Sequence, residues 1–295
     1  MAFNRQAFKT RTLTAVLFAV VMLVGLLWNH WSFLILFSII HFGCWWEFLK
    51  LVERIRQTIF HPYTKMGLMV MGYGLMLWFC SPAYHIDNYG LKENGSLPVS
   101  AAGFALLMAG IFQKNPIRIK AFGVAAVGLI YISLSWAFML DLYATSIGYN
   151  TNNLLVAGES GTATQWSIPL VIVGSIWIND TMAYIIGSLI GKTPLSKISP
   201  KKTWEGTIGG VILSVFAAGL VAWCINVDIA LFSITAALSA IAGTFGDLFE
   251  SKLKRMAGVK DSGAFMPGHG GFLDRFDSLL LATPIVWLYI RLFLK

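Results

Sequence analysis

The 295-residue chain is 57% hydrophobic and only 12% charged, with a mean hydropathy of +0.69, a composition that excludes a water-soluble domain and defines an integral membrane protein. Its net charge of +8 would suit nucleic acid, but the basic residues lie in short loops between apolar runs, as at a cytoplasmic membrane face meeting anionic lipid, and nucleic acid is set aside. Cys44, Cys80 and Cys224 fall in or beside apolar runs without metal-like spacing and read as small core residues.

Nine apolar runs approach the length of about 20 residues that a membrane-spanning helix needs: 13–28, 31–48, 66–80, 99–112, 122–140, 168–190, 207–225, 229–245 and 278–294. The expected fold is therefore an all-α, polytopic helix bundle of about nine transmembrane helices. Arg5, Lys9 and Arg11 precede the first run as in a signal peptide, but no small-residue cleavage site follows, so the run is read as a retained span. With the N-terminus cytoplasmic, 19 of the 22 lysines and arginines fall on the cytoplasmic side, leaving Lys92, Arg291 and Lys295 outside. Three regions follow: 1–140 with about five spans, an outer connecting loop 141–167, and a C-terminal catalytic region 168–295 with cytoplasmic loops 191–206 and 247–277.

Little in the first region looks chemical. Glu47, beside Trp45 and Trp46, reads as interfacial anchoring, and His30, His41, His61 and His85 are isolated. In the sixth run Asn179 and Asp180 stand near mid-span, where a charge is costly unless it faces protein or a water-filled cavity. The loop 191–206 follows, with Lys192, Lys197, Lys201, Lys202 and Glu205. Gly187 to Thr193 reads G-x-x-x-G-K-T, one residue short of a phosphate-binding P-loop and without the preceding strand, and is discounted.

The densest charge lies in Ser251 to Asp277, whose 27 residues hold five cations, three carboxylates, His269 and five glycines. Charge at this density needs water or a charged ligand. On a helix Asp247 stands one turn before Glu250 and Ser251, while Ser251, Lys254 and Arg255 share a face. The glycines around His269 let backbone amides approach an anion. Asp274 and Asp277, three apart at the start of an apolar run, can hold a hard cation. Cations for phosphate, a glycine loop and paired acids together point to phosphoryl chemistry. Pro284 falls within the last run, where a membrane helix packed by neighbours tolerates it.

The order S-x-L-K-R-x4-K-D-x-G-x2-M-P-x-H-G-G-F-x-D-R-x-D, as it stands from Ser251 to Asp277, resembles the signature of the CDP-diacylglycerol synthases, or phosphatidate cytidylyltransferases. The runs N-D-T-x-A-Y-x-x-G from Asn179 and I-S-P-K-K-T-W-E-G from Ile198 resemble the same family. The resemblance implies transfer of CMP from CTP to phosphatidic acid by direct, metal-assisted in-line displacement, giving CDP-diacylglycerol and pyrophosphate for phospholipid synthesis. It also implies magnesium, with or without a second cation, a homodimer, and a bacterial inner membrane with the site facing the cytoplasm. Together with the chemistry it assigns Asp247, Asp274 and Asp277 to metal. Lys201, Lys202, Lys260 and Arg275 neutralise the triphosphate and pyrophosphate, and Ser251, Lys254, Arg255 and His269 line the pocket. Asn179 and Asp180 shape a polar funnel or bind a cation. Two rivals fit less well. A transporter centred on Asp180 needs no glycine-histidine loop, and a CDP-alcohol phosphatidyltransferase needs a D-G-x-x-A-R run that the chain lacks.

Overall fold

The computed structural model describes residues 5–80, 84–113, 119–148, 167–265 and 270–293. Every one of the nine apolar runs falls largely within helix. Among the described residues seven helical stretches are long and apolar enough to cross a membrane: His30–Arg56, Leu91–Ile111, Ile119–Ala144, Ser167–Ile190, Trp204–Cys224, Ile229–Met256 and Leu273–Phe293. The other two runs form shorter apolar helices, Thr12–Leu27 and the 17-residue Pro62–Trp78. The protein is an all-α, polytopic membrane protein; of the nine expected spans, seven are full-length helices among the described residues.

The chain gathers into two compact units, Met1–Ala137 with Leu253–Phe276, and Phe138–Lys252 with Asp277–Lys295. The first unit is built on α1 (Arg5–Leu27), α2 (His30–Arg56), α3 (Pro62–Trp78), α4 (Ser96–Ile111) and α5 (Ile119–Gly128). Asn29 starts α2 by accepting the Ser32 amide at 2.8 Å, and the Ser32 hydroxyl accepts the Asn29 amide at 3.1 Å, a reciprocal cap. Gly67 and Gly74 on α3, and Gly103 and Gly110 on α4, recur seven residues apart, and a Cβ at Gly67 would lie 2.5 Å from the Leu107 amide nitrogen. The two helices therefore touch backbone to backbone, the small-residue packing that serves where lipid removes the hydrophobic drive. A π-helical turn, Leu129–Leu134, carries Ser133, whose hydroxyl meets Trp45 Nε1 at 2.8 Å and His41 Nε2 at 3.1 Å. His41 is thereby a buried core histidine held through Nε2, its Nδ1 having no hydrogen-bond partner among the described residues, and His61 caps α3 by accepting the Tyr63 amide.

The second unit contains α7 (Ser167–Ile190), α8 (Trp204–Cys224) and most of α9 (Ile229–Met256) and α10 (Leu273–Phe293). Gly206 and Gly210 on α8 sit against α7: a Cβ at Gly206 would lie 2.6 Å from the Ala183 carbonyl oxygen, and one at Gly210 2.7 Å from that of Asn179. Ala222, Leu231 and Phe232 bury a core with Val171, Val227 and Tyr289. Where α9 meets α10, Gly246 faces the backbone of Asp277 and Ser278. At the other end of α10, Asp141 accepts Trp287 Nε1 at 2.6 Å and pairs with Arg291.

Three local expectations change. Residues 141–148, expected in the outer connector, continue α6 (Ser135–Gly148), because Leu142 and Tyr143 prolong its buried face; residues 149–166 lie outside the described residues. The stretch 247–277 is loop only in its middle, since α9 runs on to Met256 and α10 begins at Leu273. Cys44 and Cys80 are buried, but Cys224, the last residue of α8, is exposed.

Candidate active site

In the second unit a cavity of about 330 Å³ is lined by Asn179 and Asp180 of α7, Lys201 and Lys202 of the following loop, Thr207 of α8, and Thr244 and Asp247 of α9, among others. The loop from Gly191 to Thr203 is folded rather than slack. Its two arms pair through Pro194 and Thr203, with Leu195 donating to the Lys202 carbonyl at 2.8 Å and Trp204 to that of Thr193 at 3.0 Å. Thr203 starts α8 by accepting the Gly206 amide at 3.2 Å. The Glu205 carboxylate accepts the amides of Lys192 at 3.3 Å and Thr193 at 3.2 Å. Glu205, which the sequence left as one more charge in a basic loop, is what holds the base of this loop in place and so presents the two lysines.

Lys202 forms an ion pair with Asp247. Asn179 is 2% exposed; its amide nitrogen lies 3.4 Å from Thr244 Oγ1 and 3.5 Å from Asp180 Oδ1. The Asn179 side-chain oxygen is buried with no hydrogen-bond partner, a polar atom at the cavity with capacity left over.

Asp247, Glu250 and Asp277 each turn a carboxylate oxygen into one group, all within 4.8 Å of one another. The close approach of α9 to α10 at Gly246 produces this: any side chain there would hold Asp277 away from Asp247. The Ser251 hydroxyl lies 3.2 Å from Asp247 Oδ1, and Asp277 Oδ1 accepts the Ser278 amide at 2.6 Å. Three carboxylates converging in a membrane protein are mutually repulsive and costly to bury. Oxygen donors of this kind suit a hard divalent cation bound at about 2.0–2.6 Å, so the residues present fit magnesium. Glu250, fully buried, belongs to this group, whereas the sequence reading held Asp247, Asp274 and Asp277 as the metal set.

The remaining signature residues lie in the first unit. There Asp274 accepts Lys254 Nζ at 2.6 Å through one oxygen and the amides of Gly271 at 2.8 Å and Ser262 at 2.9 Å through the other. Arg255 donates to the Val259 carbonyl at 3.3 Å. Lys260 and Arg275 are exposed to solvent, and His269 lies outside the described residues. Glu47 of α2 is only 5% exposed and accepts the Ser262 hydroxyl at 2.7 Å and the Leu273 amide at 2.9 Å. It is a buried partner of the signature segment, which corrects its reading as an interfacial anchor.

An all-α membrane protein with converging acids beside a lysine-lined cavity has the equipment to bind phosphates and a divalent cation together, and comparison with known proteins narrows the class. The model of the cytidylyltransferase family matches residues 9–293. The chain is 30% identical over 293 residues to the phosphatidate cytidylyltransferase of Thermotoga maritima, covering 96% of each. It is 44% identical over 198 residues to that of Synechocystis sp., covering 62% of the chain and 67% of the relative. It is 34% identical over 212 residues to phosphatidate cytidylyltransferase 4, chloroplastic, of Arabidopsis thaliana, or 68% of the chain and 54% of the relative. The chain spans about half the length of that protein and of its chloroplastic homologue numbered 5. The chain belongs to the cytidylyltransferase family.

Proposed function

We propose that the protein transfers CMP from CTP to phosphatidic acid, releasing pyrophosphate and leaving CDP-diacylglycerol in the bilayer for phospholipid synthesis. The observation that carries this is the second unit's cavity, lined by Lys201, Lys202 and Asp247, with Glu250 and Asp277 grouped with Asp247. Cations and acids at one cavity suit a triphosphate carrying a divalent ion.

Asp247, Glu250 and Asp277 would hold magnesium, which when bound supplies charge neutralisation for the phosphates. Lys201 and Lys202 neutralise the triphosphate and the departing pyrophosphate. Asn179 and Asp180 keep the inner cavity polar, so that a charged nucleotide is not drawn into hydrocarbon; a second cation at Asp180 belongs to this proposal. Lys254, Arg255, Lys260, His269, Asp274 and Arg275 are assigned to the reaction by the family motif alone, Asp274 as a further metal ligand once released from Lys254. Phosphatidic acid already carries an anionic oxygen, so no base is needed to make a nucleophile. What opposes reaction is anion repulsion and misalignment, and cationic side chains holding both phosphates in line answer it. A direct displacement inverts configuration at the α-phosphorus.

The basic residues gather in alternate loops and so on one side of the membrane, which supports a cytoplasmic site in a bacterial inner membrane. A homodimer is proposed from the resemblance alone. The test is transfer of label from the α-phosphate of CTP into lipid by the purified protein. It should require both phosphatidic acid and a divalent cation, and transfer without phosphatidic acid, or none with it, overturns the assignment.

A further inference from the structure

We infer that Glu47, in the apolar N-terminal half, is a positioning residue that sets the signature segment in place; this rests on the cytidylyl-transfer reading above. An acid 5% exposed within a membrane helix is tolerated only when its oxygens find donors. Both donors of Glu47 come from the signature segment. Leu273, whose amide lies 2.9 Å from Glu47 Oε2, is the first residue of α10, and its N–H is one of those that no helix can satisfy internally. A carboxylate from another helix thus caps α10 at the end where negative charge is favoured.

Ser262 supplies the second link. Its hydroxyl lies 2.7 Å from Glu47 Oε2 and 2.9 Å from Asp274 Oδ2, and Asp274 holds Lys254 at 2.6 Å. A continuous chain of contacts therefore runs from Glu47 through Ser262 to the Lys254 and Asp274 pair. Gly263 and Gly271 supply the third: a Cβ at either position would collide with the Glu47 carboxylate. At these two glycines the backbone approaches the protein's own carboxylate at Glu47, a role distinct from approach to a substrate phosphate. Displacing Glu47 would shift the start of α10, and with it Asp274 and Arg275 in the first turn.

The test uses the full-length protein and two substitutions of Glu47. Glu47→Met keeps the length and removes the acceptor; Glu47→Gln keeps an acceptor oxygen. Glu53→Met is the matched control, because Glu53 on the same helix accepts the Phe60 amide at 2.7 Å and Lys65 Nζ at 2.9 Å away from the signature segment. Misplacement by about 1 Å costs on the order of 100-fold in rate. Glu47→Met should therefore lower kcat per folded molecule by roughly that factor with KM for CTP within about twofold, and Glu47→Gln should recover most of it. Glu53→Met should lose thermal stability without losing kcat. Unchanged kcat in Glu47→Met, or an equal loss in Glu53→Met, overturns the inference. A second readout needs no substrate: tryptic cleavage at Lys254, Arg255 and Lys260 should quicken in Glu47→Met but not in Glu53→Met, and equal cleavage also overturns it. If the unsubstituted protein transfers no CMP, the proposed reaction fails while the cleavage comparison still decides the role of Glu47.

Discussion

Gly246→Ala adds one methyl group and should disable the site without touching a charged residue. The new carbon would lie 2.5 Å from the Asp277 carbonyl oxygen and 3.0 Å from Ser278 Cα, whereas ordinary contact begins at about 3.4 Å. Both obstacles are backbone, so no side chain can swing clear, and α10 must retreat from α9 by about 0.9 Å. Overpacking of this kind typically costs about 1–3 kcal/mol, survivable for a packed bundle. The same displacement draws Asp277 away from Asp247 and Glu250, and misplacement near 1 Å can cost about 100-fold in rate. We expect kcat to fall by about that factor and half-saturation by magnesium to rise about tenfold, read by label transfer from CTP and by magnesium-dependent thermal stabilisation of the purified protein. Gly243→Ala should be milder, since its nearest obstacle is the Ile176 side chain at 3.2 Å. Gly174→Ala, with nothing within 4 Å, should be fully active and gain up to about 1 kcal/mol from helix propensity. Normal turnover and an unchanged magnesium response in Gly246→Ala would refute the claim that helix proximity builds the carboxylate group.

Two further outcomes test the reading. Asp247→Asn and Asp277→Asn should each lower turnover by about 100-fold or more in protein that still inserts and purifies, and Glu250→Gln should raise magnesium half-saturation about tenfold; an unchanged value in the last removes Glu250 from the metal set. In a background without native cysteines, cysteines at 192–203 and near Asp261 should label from the cytoplasmic side only, and one near Asn94 from outside only. Labelling of the two basic loops from opposite sides excludes a shared site.

The spans were legible because apolar run length is a local property, and so were the helical faces of Ser251, Lys254 and Asp247. The partners of those residues were not. Glu250 and Asp247, one turn apart on α9, are joined by Asp277 because α9 and the next helix, α10, touch at Gly246, and nothing local reports that contact. Glu47 did leave a signal. It stands at heptad spacing on α2 with Ile40, Cys44 and Leu51, all buried, so the 3.6-residue period alone placed it on the inward stripe. The neighbouring tryptophans drew the reading toward the membrane interface. Glu205 could have been noticed as an acid in the first turn of a helix, where it meets free amides.

Each unit holds one lysine to aspartate pair at a proposed site position, Lys202 with Asp247 and Lys254 with Asp274. The sequence assigned the members of each pair to different partners, Lys202 to the triphosphate, Lys254 to the pocket lining, and both aspartates to the metal. The two readings agree if each pair is the resting state of an exchange. In a partly buried site neither charge is fully solvated, so each serves as counter-ion for the other. Magnesium would have to displace Lys202 to gain Asp247, and phosphate would have to displace Asp247 to gain Lys202. Bound together, the two ligands supply both replacements at once. Their binding should therefore be mutually favourable, and reciprocity requires the same factor in both directions. The Lys202 and Asp247 side chains are 26% and 29% exposed, which places the pair near the surface class of about 0.2–1 kcal/mol, a one- to fivefold effect. Lys202→Met should accordingly tighten magnesium binding up to about fivefold in the absence of CTP, raise KM for CTP, and abolish most of the coupling. Magnesium binding that is weakened or unmoved by Lys202→Met would show that the lysine does not compete for Asp247, and the exchange would have to be abandoned.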